Sequence, residues 1–298
     1  MSHTERINLV MRFARRCCMT MCGIGAMAAG VTGTAMAHTG DFARFNQCPS
    51  HTTGVVHCLY SVTNKGSVVL GSKTTPIVNK VTLQGGYSEE NAEGFSKFYE
   101  AANKETLSKT PQPVPGGLAG LVPPEESPLL VKEAIKFFFE NGITGVNATL
   151  ELAKPASEIK LSNFNLLVEE GTALYLPVKI HLENPFLGSN CYVGSSGSPI
   201  KWNLITGVTS PPAPNTPIAG KPGFVNLKDN FEIAELTENE LVDNSWSAPG
   251  ATGCGGFLLE LLVDPIINSQ FGSTTAGHNS ARLENSISTA TVGSVNSH

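Results

Sequence analysis

Leu174-Tyr175-Leu176-Pro177-Val178-Lys179-Ile180-His181-Leu182-Glu183 is the stretch that decides the fold. Leu174, Leu176, Val178, Ile180 and Leu182 alternate with Tyr175, Pro177, Lys179, His181 and Glu183. A period of two puts the two sets on opposite sides of an extended chain. One face enters a core and the other meets solvent, as antiparallel sheets commonly arrange. Pro177 lacks an amide donor, which predicts an edge or a bulge.

Working outward, Val146, Ala148, Leu150 and Leu152 repeat the alternation, as do Ile200, Trp202 and Leu204. Phe224 to Leu227 reads as a further strand after the proline-rich loop Pro211–Pro222. Upstream, Val55 to Tyr60, a turn at Asn64-Lys65-Gly66, and Ser67 to Leu70 read as a hairpin, with Ile77 to Leu83 as a third strand. Helical spacing is expected in four places. Phe95, Phe98, Tyr99 and Ala102 recur at helical intervals between Glu89 and Asn103, with Ser88 as the cap. Ser127-Pro128 opens a second helix that stops at Asn141-Gly142. Thr237-x-x-Glu240 has the form of a capping box for a short third. Phe257 to Val263 is a buried helix or a buried strand, with Asp264-Pro265 as its stop. The fold class is therefore mainly β with a few helices (α+β). Its architecture is an antiparallel β-sandwich or a curved sheet packed by two to three helices.

The N-terminus has a different character. Arg6, Arg12, Arg15 and Arg16 precede an uncharged run from Cys17 to Ala37 that closes on Ala35-Met36-Ala37. A basic start, a weakly apolar centre and a small-x-small end form a secretory signal peptide over residues 1–37, with cleavage before His38. Residues 38–267 then form the exported β-rich domain, with a possible subdivision near 104–127, where prolines gather. Residues 268–298, rich in Ser, Thr, Asn and Gly, are expected to be a polar and partly disordered tail. No other apolar stretch is long enough to span a bilayer.

The leader holds all six methionines and contributes +3 to the net charge of −5, so residues 38–298 stand at −8. They contain only Arg44 and Arg282 as arginines. An acidic chain with no basic cluster has no means of holding a phosphate backbone, which excludes nucleic acid as a partner. Adhesion to an anionic membrane through a basic patch is excluded for the same reason.

Cys48, Cys58, Cys191 and Cys254 remain after the leader is removed. Four cysteines in an exported chain read as two disulfides, and three pairings exist. The short loop with Pro49 and Gly54 favours Cys48–Cys58, which leaves Cys191–Cys254 as a long-range bond that stabilises by about 4 kcal/mol. No C-x-x-C spacing is present, so no metal site is assigned.

The signatures of chemistry are missing. There is no G-x-S-x-G elbow, and Gly194-Ser195-Ser196-Gly197 has the wrong spacing for one. No phosphate loop or dinucleotide fingerprint appears, and no cofactor is implied. His181 reads as a surface histidine between Lys179 and Glu183. The pairs Glu125-Glu126, Glu169-Glu170 and Asp229 with Glu232 read as solvated turn or edge residues. No catalytic residue is assigned.

Phe45-Asn46-Gln47-Cys48-Pro49, Leu83-Gln84-Gly85-Gly86 and Leu182-Glu183-Asn184-Pro185 running into Cys191-Tyr192-Val193-Gly194 resemble uncharacterised secreted proteins of actinobacteria. That resemblance implies a bacterial, extracytoplasmic location and carries no activity with it. The expected function is a non-enzymatic cell-envelope or extracellular protein that acts through binding, its ligand unknown. One alternative is an extracytoplasmic carrier for a lipid or other apolar ligand, touched by Ile135, Phe138 and Phe139 of the second helix. The other is a hydrolase whose acidic site the sequence does not reveal.

Overall fold

The computed structural model describes residues 37–298. The signal peptide therefore lies almost wholly outside the described residues. The first half contributes strands β1 (His57–Leu70), β2 (Lys73–Pro76), β3 (Val81–Glu90), β4 (Ser96–Tyr99), β5 (Gln112–Pro113), β6 (Asn147–Leu152) and β7 (Lys160–Leu161). The second half adds β8 (Leu174–Glu183), β9 (Tyr192–Val193), β10 (Ile200–Leu204), β11 (Phe224–Lys228), β12 (Ile233–Asp243), β13 (Ala251–Thr252) and β14 (Ser280–Thr291). The α-helices are α1 (Gly117–Leu121), α2 (Leu129–Glu140), α3 (Asn163–Leu167), α4 (Gly256–Phe271) and α5 (Val292–Asn296). The protein is thus mainly β, one antiparallel sheet packed by helices.

The main path of the sheet runs β11-β12-β14-β1-β3-β4-β7-β8-β6-β5, with β10 and β9 also bonded to β8. It curls far enough to meet itself. Ile205, just past β10, exchanges both backbone hydrogen bonds with Val242 of β12, each at 2.9 Å. Alternate side chains from both sides of that junction, among them Trp202, Leu176, Leu241 and Leu283, are buried in a shared core. A smaller core of Phe42, Phe45, Ile233, Ala290 and Val295 closes the end of the sheet where the described chain begins.

The strand Leu174–Glu183 has the expected two faces, with Leu174, Leu176, Val178, Ile180 and Leu182 buried. It is a central strand rather than an edge. Pro177 sits where pairing with β6 gives way to pairing with β7, and its carbonyl accepts from Ala153.

Four local expectations are corrected. Glu89–Asn103 is no helix: Asn91 accepts from the amides of Glu93 and Phe95, turning the chain into β4. There Ser96 and Phe98 face inward and Lys97 outward. The turn at Asn64-Lys65-Gly66 is instead a bulge inside the long strand β1, opposite β14. A side chain at Gly66 would meet the backbone of Arg282, so glycine is required. Thr237 and Glu240 lie in β12, whose register shifts between Leu236 and Asn239. The polar tail is not disordered. It supplies β14, which is inserted between β12 and β1 with Ala281, Leu283, Asn285 and Ile287 buried.

Helix α2 ends where expected, but Ser127 is not its cap. Its hydroxyl donates to the carbonyl of Pro123, and Pro128 occupies the cap position. Helix α4 runs through Pro265 instead of stopping there. Among the described residues, no helix is long and apolar enough to cross a membrane.

Candidate functional site

The four cysteines form the pairs Cys48–Cys58 and Cys191–Cys254, with Cα atoms 5.4 and 4.2 Å apart. The first joins the N-terminal turn to the start of β1. The second ties the β9 segment to the loop that leads into α4. No cluster of metal-ligating side chains occurs among the described residues.

Helix α4 carries the most unusual surface. Val263, Ile267 and Phe271, spaced four apart, are buried against the sheet. Asp264 and Asn268 turn back on the loop before the helix. Asp264 accepts from the amides of Gly253 (3.1 Å) and Cys254 (2.8 Å), and Asn268 accepts from Ala251 and donates to its carbonyl. Burial pushes the Asp264 carboxyl above its ordinary range, opposed by those two amide donors. The inward side of the helix is thus fully used. Its outward side is apolar as well: Phe257 is 96 % exposed, Leu258 84 % and Leu261 91 %. A helix whose first two turns are apolar on nearly every side, with Glu260 the exception, belongs largely in an interior, and this one has only half of an interior.

Helix α2 lies beside it. Gln270, near the end of α4, donates to Glu126, just before α2, at 2.8 Å. At the other end Phe138 of α2 packs edge-on against Phe186, while Gly255 donates to Leu187 and Gly188 approaches Gly256. The two helices therefore run antiparallel, with the end of α2 beside the start of α4. Phe137 (60 % exposed) and Ile143 (38 %) join Phe257, Leu258 and Leu261 at that end. Together they form an apolar tip.

The residues assigned to an apolar ligand lie on the inner side of α2. Ile135 is buried in the core, and Phe138 and Phe139 pack partly buried against it. Two voids lie within the sheet. One of about 50 Å³ is lined by Leu70, Ile77, Leu121, Leu150 and Phe271 among others. The second, of about 40 Å³, lies near Leu59, Leu176 and Trp202. Ile135, Phe138 and Phe139 line neither. Each void is smaller than the roughly 150 Å³ that admits benzene in an apolar interior.

A polar cluster occupies the outer face of β6, β8 and β9. His181 Nδ1 lies 3.8 Å from Glu151 and 3.7 Å from Glu183, and its ring stacks on Tyr192 at 4.3 Å. Lys179 bonds Glu151 at 3.1 Å and covers the Tyr192 ring, while Thr149 donates to Glu183. Cross-strand pairing assembles this cluster, since Thr149 faces His181 and Glu151 faces Lys179 across the β6–β8 ladder. Covalent catalysis by a histidine–carboxylate pair needs a nucleophile within hydrogen-bond reach of the ring. The facing hydroxyl of Thr149 is committed to Glu183 and the Tyr192 ring lies flat on the imidazole, so the cluster reads as a laced sheet surface.

Three of the other sequence-flagged groups are also occupied. Ser195 accepts from Ser198 in a turn, Glu126 holds Gln270, and Glu232 pairs with His298. Comparisons with family models, curated proteins and solved structures found no match to the chain. The reading of function therefore rests on the molecule's own surfaces.

Proposed function

We propose that the protein is an exported, non-enzymatic envelope or extracellular protein of bacterial origin that works by binding. Its contact surface is the apolar tip of α2 and α4. The observation that carries this reading is the outward face of α4, where Phe257, Leu258 and Leu261 stand in solvent on a helix whose other side is fully engaged. Contiguous apolar exposure of this kind marks interaction sites on folded proteins. Export is supported by the basic and apolar leader and by the two disulfide pairs, which persist in oxidising compartments.

Two measurements test it. N-terminal sequencing of the protein recovered outside the cytoplasm should begin at His38, and a product retained in the cytoplasm overturns export. The triple variant Phe257→Ser/Leu258→Ser/Leu261→Ser should keep the wild-type melting transition yet lose association with the envelope fraction. Undiminished association would remove the tip from the function.

A further inference from the structure

We infer that the partner of this tip is the surface of an uncharged or zwitterionic lipid layer, into which Phe257, Leu258, Leu261 and Phe137 insert. The inference rests on the reading of the tip as the binding surface and specifies what it binds. Three observations select lipid over a second copy of the chain.

The first is shape. Side chains 84–96 % exposed stand proud of their surroundings and do not line a groove. A fluid interface accepts such projections without a complementary socket. An interfacial helix buries its apolar side chains about 5–10 Å into the headgroup boundary.

The second is charge. From Ser245 to Ala281 the charged residues are Glu260 and Asp264, both acidic, and the segments 184–200 and 244–259 carry no charge at all. Leu187 and Gly188 of the first segment pack on Gly255 and Gly256 of the second, so the loops beneath the start of α4 are charge-free, and the charges beside Phe137 on α2, Lys136 and Glu140, pair with each other at 3.8 Å. A two-fold contact centred on α4 would bring two Glu260 carboxylates together, on chains that each carry −8 after the leader. The ammonium groups of zwitterionic headgroups complement Glu260 instead. An anionic surface would repel the chain.

The third is depth. Pro265 has no amide to donate to the carbonyl of Leu261, so that backbone oxygen lacks its helical donor and is costly to place in hydrocarbon. This confines insertion to side chains of the first two turns. The helix lies in the interface and does not cross it.

The test uses the disulfide-bonded protein from His38 onward with sucrose-loaded phosphatidylcholine vesicles in a sedimentation assay. The expected result is binding that 0.5 M salt does not weaken, that falls when about a third of the lipid is replaced by phosphatidylglycerol, and that the triple serine variant loses by at least about 100-fold. Lys132→Ala on the charged side of α2 should change it little. If the wild type ignores phosphatidylcholine, or the triple variant binds equally, the inference is overturned. Analytical ultracentrifugation then separates the two levels. A dimer that the triple variant converts to monomer refutes lipid and keeps the tip as the binding surface. No vesicle binding, no self-association and no loss of envelope association in the variant would refute both.

Discussion

Helix α4 offers a controlled comparison, because aliphatic side chains on its two faces should respond oppositely to the same truncation. Ile267 is fully buried and Leu261 is 91 % exposed. Cutting Ile267 to alanine removes about three carbon groups from the core and leaves a hole. With transfer worth roughly 0.8 kcal/mol per CH₂ and an added cavity term, the cost is about 2–5 kcal/mol. Cutting Leu261 to alanine removes nothing from the core and slightly improves helix propensity, so its effect should stay within about 0.5 kcal/mol. Equilibrium urea unfolding, followed by Trp202 and Trp246 fluorescence, reads both. With a slope near 2 kcal/mol per M, the midpoint should fall by about 1–2.5 M for Ile267→Ala and stay within about 0.25 M for Leu261→Ala. A drop for Leu261→Ala matching that of Ile267→Ala would refute the reasoning, because the outward face would then be covered in the free protein. Repeating the titration over a hundredfold range of concentration would show whether a second copy covers it.

Ending the chain at Asn279 removes β14 from between β12 and β1 and should abolish cooperative unfolding, read by circular dichroism on heating. Opening Cys191–Cys254 with paired serines releases a cross-link spanning 63 residues of sequence and should cost about 4 kcal/mol, measured by urea unfolding with and without reductant. Phe98→Ala, at a fully buried ring in β4, should cost about 3–5 kcal/mol in the same assay. Acid should destabilise the protein through two groups. A hydrogen bond from Lys228, opposed by burial and assisted by Arg44, holds Glu235 below its ordinary value of 4.5, so its stabilisation is present above that value and is lost as pH falls through the depressed one. Burial, partly offset by Glu89, lowers His57 below 6.5, so the unfolded chain takes up the proton first and stability declines as pH drops from 6.5. Glu235→Gln and His57→Phe should each flatten their part of the pH profile of unfolding free energy.

Much of the sheet was legible because burial there follows strict alternation. Leu174–Glu183, apart from a buried Pro177, and Ile200–Leu204 show it with large apolar side chains, and both disulfide pairs follow from chain distance. Where alternation is carried by small or polar residues it was hidden. In β14 the inward positions are Ala281, Leu283, Asn285 and Ile287, and Asn285 is buried because it accepts from Thr63 and donates to Leu283. A composition rich in Ser, Thr and Asn therefore described a central strand as a tail. In β4 the spacing of Phe95, Phe98 and Tyr99 fits a helix, and only long-range pairing of Tyr99 with Gly86 and Ser96 with Leu161 decides for a strand. Such partners are a matter of tertiary structure, and local propensity yields to them.

The candidate site was illegible for a related reason. Hydrophobicity in sequence measures what a side chain would prefer, and in Phe257-Leu258-Leu259-Glu260-Leu261-Leu262-Val263 every residue but Glu260 states a preference for burial. The fold satisfies only one side. Val263, Ile267 and Phe271 cover the sheet, and Asp264 and Asn268 hold the preceding loop, which fixes the rotation of the helix. In the first two turns of the helix Phe257, Leu258 and Leu261 are left exposed. A helix meant only to cover the sheet would carry polar residues there at no cost to packing. The sequence instead puts a Phe and two Leu where the fold offers them no partner. That exposure is the ground on which the contact surface is proposed.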